Sequence, residues 1–200
     1  MNAPDTMTLL DARREYFDAN GFGPRGGYDD NWVTLAKIGP LRLGIPNTAS
    51  RVHAVRYHDL HHVLTGYQTD LLGEAEIAAW ELATGCRDQY AAWVLNLLAM
   101  PMGAVRHHPR LEQAFARGEH ARNLYGETFD DALLEQTVGQ ARHRLDIDPQ
   151  AEAPLLSPDG RARLRRFLAL GVAMNFLIAL VGLATLAGIA WFAWWLLGRG

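Results

Sequence analysis

The chain predicts a mainly α protein: a helical soluble domain with a metal-binding helical hairpin, followed by a single C-terminal transmembrane helix. Three observations carry this. Apolar residues recur at 3.6-type spacing between positions 50 and 145. Glycines and prolines stand where such helices would stop. Residues 167–197 contain no Asp, Glu, Lys or Arg. A bilayer core of ~30 Å takes roughly 20 apolar residues as a helix. That stretch therefore spans once, with room to tilt, and is too short to span twice.

Composition narrows the classes. A chain of 200 residues, 20% charged with formal net charge −3, fits one domain with appendages. It lacks the basic excess of a nucleic-acid partner and the acidic tail of a solvating protein. Cys86 is the only cysteine, which excludes an internal disulfide and a CxxC metal site.

The elements follow in order. Thr6 or Thr8 caps a short helix through Phe17, ended by Asn20-Gly21. Residues 21–50 are loop-rich, with a short extended segment around Trp32-Val33-Thr34-Leu35, and carry no phosphate-loop motif. Residues 1–47 thus form a Gly/Pro-rich segment expected to pack on the domain. Residues 48–147 form the metal-binding helical domain. Its first helix carries Val52, Val55, Leu60, Val63 and Leu64 and ends near Gly66. A second starts at Thr69 or Asp70 and runs through Ile77, Trp80 and Leu82 to Gly85. A third, very apolar segment runs from Gln89 to Met100 and is interrupted at Pro101; it suits a core or an apolar pocket wall. Phe129, Leu133, Leu134, Val138, Ala141 and Leu145 mark one further amphipathic helix.

Residues 148–166 read as a linker and basic flank, and residues 167–197 as the transmembrane helix. Trp191, Trp194 and Trp195 stand where an aromatic belt belongs. Arg161, Arg163, Arg165 and Arg166 crowd the near end, against Arg199 beyond the far end. The positive-inside rule places residues 1–166 in the cytoplasm. The N-terminus has no apolar run of signal-peptide length, as expected of a bacterial inner-membrane protein with a cytoplasmic domain.

The run His58-Asp59-Leu60-His61-His62, followed by Glu74, carries the chemistry. Positions i and i+4 share a helix face, so His58 and His62 point at one object, with Asp59 at the border of that face. A hairpin turning at Gly66 folds Glu74 back toward them. Two imidazoles and two carboxylates are ligands for a divalent ion, zinc foremost. His61 points roughly 100° from His62 and is a neighbour rather than a ligand. Glu76 lies about 200° from Glu74, so the two cannot both face the ion. Glu76 and Glu81 are the alternatives to Glu74 as the fourth ligand; Glu81, two turns along Glu74's face, could instead accept a hydrogen bond from behind the ligands.

Residues 58–74, HDLHHVLTGYQTDLLGE, resemble the HDxxH-(x11)-E signature of the coenzyme Q biosynthesis protein four family. Gly66, Thr69, Leu72 and Gly73 match positions common in that motif, and Arg56, Trp80-Glu81 and Asn123-Leu124-Tyr125 agree around it. The resemblance covers roughly residues 48–147. It implies a divalent metal held by His58, Asp59, His62 and Glu74, which would also be the catalytic residues. It further implies ubiquinone biosynthesis on a polyprenylated benzoate-derived ring, with loss of the C1 carboxyl coupled to hydroxylation there. A prenylated quinone precursor, the membrane and other enzymes of the pathway are the implied partners, with self-association as a homo-oligomer left open.

Two other functions compete. One is a non-catalytic membrane scaffold that binds lipid and organises a quinone-biosynthetic complex. The other is an HD-type phosphohydrolase, disfavoured because His53 is too near His58 to supply the upstream histidine of that class. His107-His108, His120 and His143 lack the spacing of a second metal site, and Arg106, Arg110, Arg117 and Arg122 read as a solvated face. No GxSxG elbow is present.

Overall fold

The described residues of the computed structural model are 3–39 and 41–198, without the side chains of 35–38, 41, 43 and 105–107. Arg199 and the side chains of Arg106 and His107 lie outside them. Helix α1 (Leu9–Asn20) precedes a hairpin of strands β1 (Trp32–Ile38) and β2 (Leu41–Pro46). Helices α2 (Ala49–Thr65), α3 (Leu71–Thr84), α4 (Tyr90–Glu119), α5 (Asp131–Glu135), α6 (Val138–Arg144) and α7 (Pro158–Leu197) follow. The protein is mainly helical, and its strands pair antiparallel from Trp32↔Pro46 to Ile38↔Leu41.

Side-chain caps set the starts of the helices. Thr8, Thr48 and Asp70 accept the backbone N–H of Asp11, Arg51 and Gly73 respectively, each such cap contributing ~1 kcal/mol. Gly66, at φ 77, closes α2 by turning its N–H onto the His62 carbonyl, a conformation that L side chains rarely adopt. Only four residues then separate Gly66 from the start of α3, so α2 and α3 form the expected hairpin.

Three boundaries differ from the sequence expectation. The helix predicted to break at Pro101 continues through Pro101 and Pro109 to Glu119. An internal proline costs ~3 kcal/mol, and packing offsets it, since α4 packs against both α3 and α7. Pro101 has no N–H to offer the Leu97 carbonyl. Gly171 of α7 comes so close to that carbonyl that an added Cβ would lie 2.1 Å from it. The next carbonyl, of Leu98, accepts a hydrogen bond from Asn175 Nδ2 at 3.1 Å.

The single helix expected over 129–145 is split into α5 and α6. Thr137 starts α6 with a capping box to Gln140. The backbone on either side is taken by the segment before α1, through Leu9 N–H to the Gln136 carbonyl and Val138 N–H to the Met7 carbonyl. The basic flank assigned to a linker is helical as well. Ser157 caps α7, Pro158 opens it, and Glu119 at the end of α4 accepts from both the N–H and hydroxyl of Ser157. Arg161 pairs with Glu112 at 3.4 Å, and Arg163 donates to the Ala83 carbonyl at 2.7 Å.

Helix α7 therefore has two halves. Gly160, Leu164 and Gly171 are buried along one stripe against the domain. Residues 176–197 are exposed apart from half-covered Trp195. At 1.5 Å per residue that free part is about 33 Å long, against ~30 Å for a bilayer core. Among the described residues α7 is the one helix long and apolar enough to cross a membrane, with a mean hydropathy of 2.3 over its most apolar 18 residues.

Gly171→Leu drives a side chain into the Leu97 carbonyl. It is expected to destabilise the docked half of α7 by about 1–3 kcal/mol, seen as a fall of several degrees in Tm of the detergent-solubilised protein. An unchanged Tm contradicts the close approach of α4 and α7.

Candidate metal centre

Glu81 organises the site. Its side chain is 0% exposed, and burying a carboxylate costs several kcal/mol unless its lone pairs are matched. Here all are. Oε1 accepts from His61 Nδ1 at 2.6 Å and His58 Nδ1 at 3.0 Å. Oε2 accepts from Asn96 Nδ2 at 2.6 Å and the Tyr125 hydroxyl at 2.7 Å. Burial would raise its pKa, but the charges and bonds of His58 and His61 hold it well below the ordinary carboxylate range.

These bonds decide the tautomers. His61 Nε2 accepts the N–H of Leu124 at 3.0 Å, so its proton sits on Nδ1. Burial lowers its pKa, and with both nitrogens engaged it is no ligand. His58 donates from Nδ1 to Glu81, and His62 donates from Nδ1 to the Tyr67 carbonyl at 3.0 Å. Both therefore present an Nε2 lone pair to the same point. The two Nε2 atoms are 3.1 Å apart. Glu74 Oε2 lies 3.4 Å from the first, and Glu74 Oε1 3.5 Å from the second.

Two facing lone pairs beside a carboxylate repel unless something positive lies between them. A proton can do this. Burial works against charge on His58, but Glu81 and Glu74 outweigh it and hold its pKa well above the ordinary value. Glu74, although burial opposes it, is drawn down to about 2 by His58 and His62. A divalent ion fits the same place. Tetrahedral bonds of 2.0–2.1 Å put neighbouring ligand atoms roughly 3.3–3.4 Å apart. The two imidazole nitrogens are 3.1 Å apart, and one ligand atom from each of His58, His62 and Glu74 lies within 4.8 Å of the others, so the group could hold a metal ion. Two imidazoles and one carboxylate leave a fourth position for water or substrate.

Asp59 departs from the expected four-ligand set and is not part of this group. One residue along from His58, it is turned roughly 100° around the helix, and its Oδ2 accepts the Tyr28 hydroxyl at 2.5 Å. Burial raises its pKa against the pull of His58 and that hydrogen bond. The other candidates lie elsewhere. Arg110 grips Glu76 through two bonds of 2.8 Å. Arg117 ties the Pro149 and Ala151 carbonyls, and Arg122 pairs with Asp146. His108 faces Glu112 at 3.7 Å. Among the described residues no second metal-binding group occurs, His120 and His143 included.

Access is from the Glu74 side: its side chain is 36% exposed, whereas that of His62 is 0% exposed. The site opens on a cavity of about 710 Å³ whose lining includes Ala92, Leu95 and Ala99 of α4 and Tyr16, Phe22 and Trp32 of the N-terminal segment. Tyr16 stacks on the His62 ring at 5.5 Å. No protein-family model matches the chain, and comparison with curated proteins and with solved structures yields no match.

The purified protein is expected to carry about one divalent ion by elemental analysis, lost in His62→Ala and Glu74→Ala and retained in Asp59→Asn; loss in Asp59→Asn alone contradicts the three-ligand group. Glu81→Gln, which places an amide where two imidazole protons need an acceptor, weakens metal affinity by about 10–100-fold, measurable by chelator competition. Proton and ion compete for the His58 lone pair. Affinity therefore falls as pH drops through the raised His58 pKa, and a titration flat between pH 8 and 6 argues against that competition.

Proposed function

We propose that the chain is a membrane-anchored, divalent-metal-dependent enzyme whose cavity takes a small ring bearing an apolar tail. The specific assignment is ubiquinone biosynthesis: oxidative decarboxylation with hydroxylation at C1 of a polyprenylated benzoate-derived ring. The observation that carries it is the convergence of His58, His62 and Glu74 at the edge of a cavity walled by apolar residues of α4, the helix on which α7 docks. The resemblance of residues 58–74 to the coenzyme Q family signature supplies the pathway.

A bound divalent ion, zinc foremost, supplies Lewis-acid stabilisation of charge developing on the ring oxygens. The chain does the rest. Glu81 keeps the His58 proton on Nδ1, and the Tyr67 carbonyl does the same for His62. Tyr28 holds the Asp59 carboxylate beside His58. Ala92, Leu95 and Ala99 offer apolar surface to the tail. Loss of the carboxyl as carbon dioxide with gain of a hydroxyl at the same carbon is a two-electron oxidation, so an external oxidant takes part. In this reading the domain lies at the cytoplasmic face of a bacterial inner membrane, within reach of other enzymes of the pathway; the exposed Arg165 and Arg166 in the docked half of α7 support that orientation through the positive-inside rule.

Deleting the gene and profiling quinones tests the pathway: ubiquinone should fall and a prenylated carboxylated precursor accumulate, whereas an unchanged profile rejects the assignment. His58→Ala should reach the membrane at normal abundance yet fail to restore ubiquinone. Full restoration by that variant favours a scaffold over an enzyme.

A further inference from the structure

Tyr28 lines one cavity and bonds to the wall of another. Its hydroxyl reaches Asp59 of the metal cavity, and it also lines a smaller cavity of about 290 Å³ with Arg13, Arg25, Arg56, Phe17 and Phe129. Three guanidiniums in so small a space require negative charge. Arg25 has it, 2.8 Å from Asp29. Among the described residues, neither Arg13 nor Arg56 forms a direct ion pair with a carboxylate, and Arg13 feels the Asp59 carboxylate only through space.

Aromatic rings hold these two cations instead. The Arg13 guanidinium lies 5.7 Å from the Phe17 ring and 5.5 Å from the Phe129 ring. The Arg56 guanidinium lies 5.6 Å from the Tyr28 ring and 5.7 Å from the same Phe129 ring. Sharing one ring brings two like charges together. Arg13 Nε is moreover buried with no acceptor, and buried polar groups normally have one. A guanidinium is a planar fork matched to a planar oxyanion, and its preference for stacking on rings leaves the N–H edges free to bind.

We infer that this cavity is a second binding site, for a small organic carboxylate whose oxygens accept from Arg13 and Arg56 and whose apolar body lies against Phe17 and Phe129. A carboxylate fits better than inorganic phosphate because the aromatic walls would strip water from a doubly charged ion and return little to it. The site is separate from the metal ligands and does not depend on the proposed reaction.

Calorimetric titration of the full chain in detergent with benzoate, acetate and inorganic phosphate tests this. Benzoate is expected to bind at one site, with acetate and phosphate at least tenfold weaker. Binding should survive in the Glu74→Ala variant, which removes a metal ligand. It should weaken at least tenfold in Arg13→Gln, and also in Arg56→Lys, which keeps the charge and loses the fork. Should Arg13→Gln fail to fold by circular dichroism, Arg56→Lys decides alone. No benzoate binding, phosphate binding more tightly than benzoate, equal binding in Arg56→Lys, or loss of binding in folded Glu74→Ala each overturns the site.

Discussion

One buried carboxylate sets the terms for the centre of this protein. Glu81 comes from α3, and its four donors come from α2, α4 and the segment after α4. An ionised carboxylate in the interior is tolerated only where geometry and hydrogen bonding are both satisfied, so the three helices are held to one relative placement. The same carboxylate fixes where the protons of His58 and His61 reside. Packing and proton placement are therefore one constraint: the helices cannot shift without leaving an imidazole or the carboxylate unpaired. This explains how the two imidazole Nε2 atoms are held 3.1 Å apart in the folded chain, close enough to share a proton or an ion.

The parts visible from sequence were those with local rules. His58 and His62 at i and i+4, Gly66 as a stop and Asp70 as a start define the hairpin, and helical spacing puts Glu81 on Glu74's face, leaving open whether it is a ligand or an acceptor behind the ligands. What escaped depended on distant contacts. Asp59 borders the ligand face on a helical wheel, but Tyr28, 31 residues earlier in a glycine-rich loop, claims its carboxylate. Nothing periodic announces that tyrosine. Asn96 and Tyr125 likewise sit in apolar or irregular text, and only the fold shows that both donate to Glu81.

The misjudged boundaries have the same origin. Pro101 is a local stop signal, overridden because α4 is packed against two helices, α3 and α7. The break between α5 and α6 is the reverse case, in which an apolar period is interrupted because the backbone around Gln136 and Val138 is drawn into bridges with the segment before α1. Propensity describes a helix alone in water; these two positions answer to neighbours more than a hundred residues away or across a helix interface.

The proline-disturbed turn of α4 has a further consequence. Leu97 and Leu98 present backbone oxygens at one point along α4, and only a residue without a side chain, followed one turn later by an amide donor, can sit there; Gly171 and Asn175 of α7 meet that need. The joint accordingly has a register and a handed orientation. Rotating α7 about its axis, or sliding it by a turn, would leave an oxygen bare and drive a side chain into backbone. A chain hung from a loose tether swivels above a bilayer and explores every tilt. Where this helix crosses one, it acts as a mast rather than a leash, giving the cavity mouth a set height and a set compass bearing relative to the lipid.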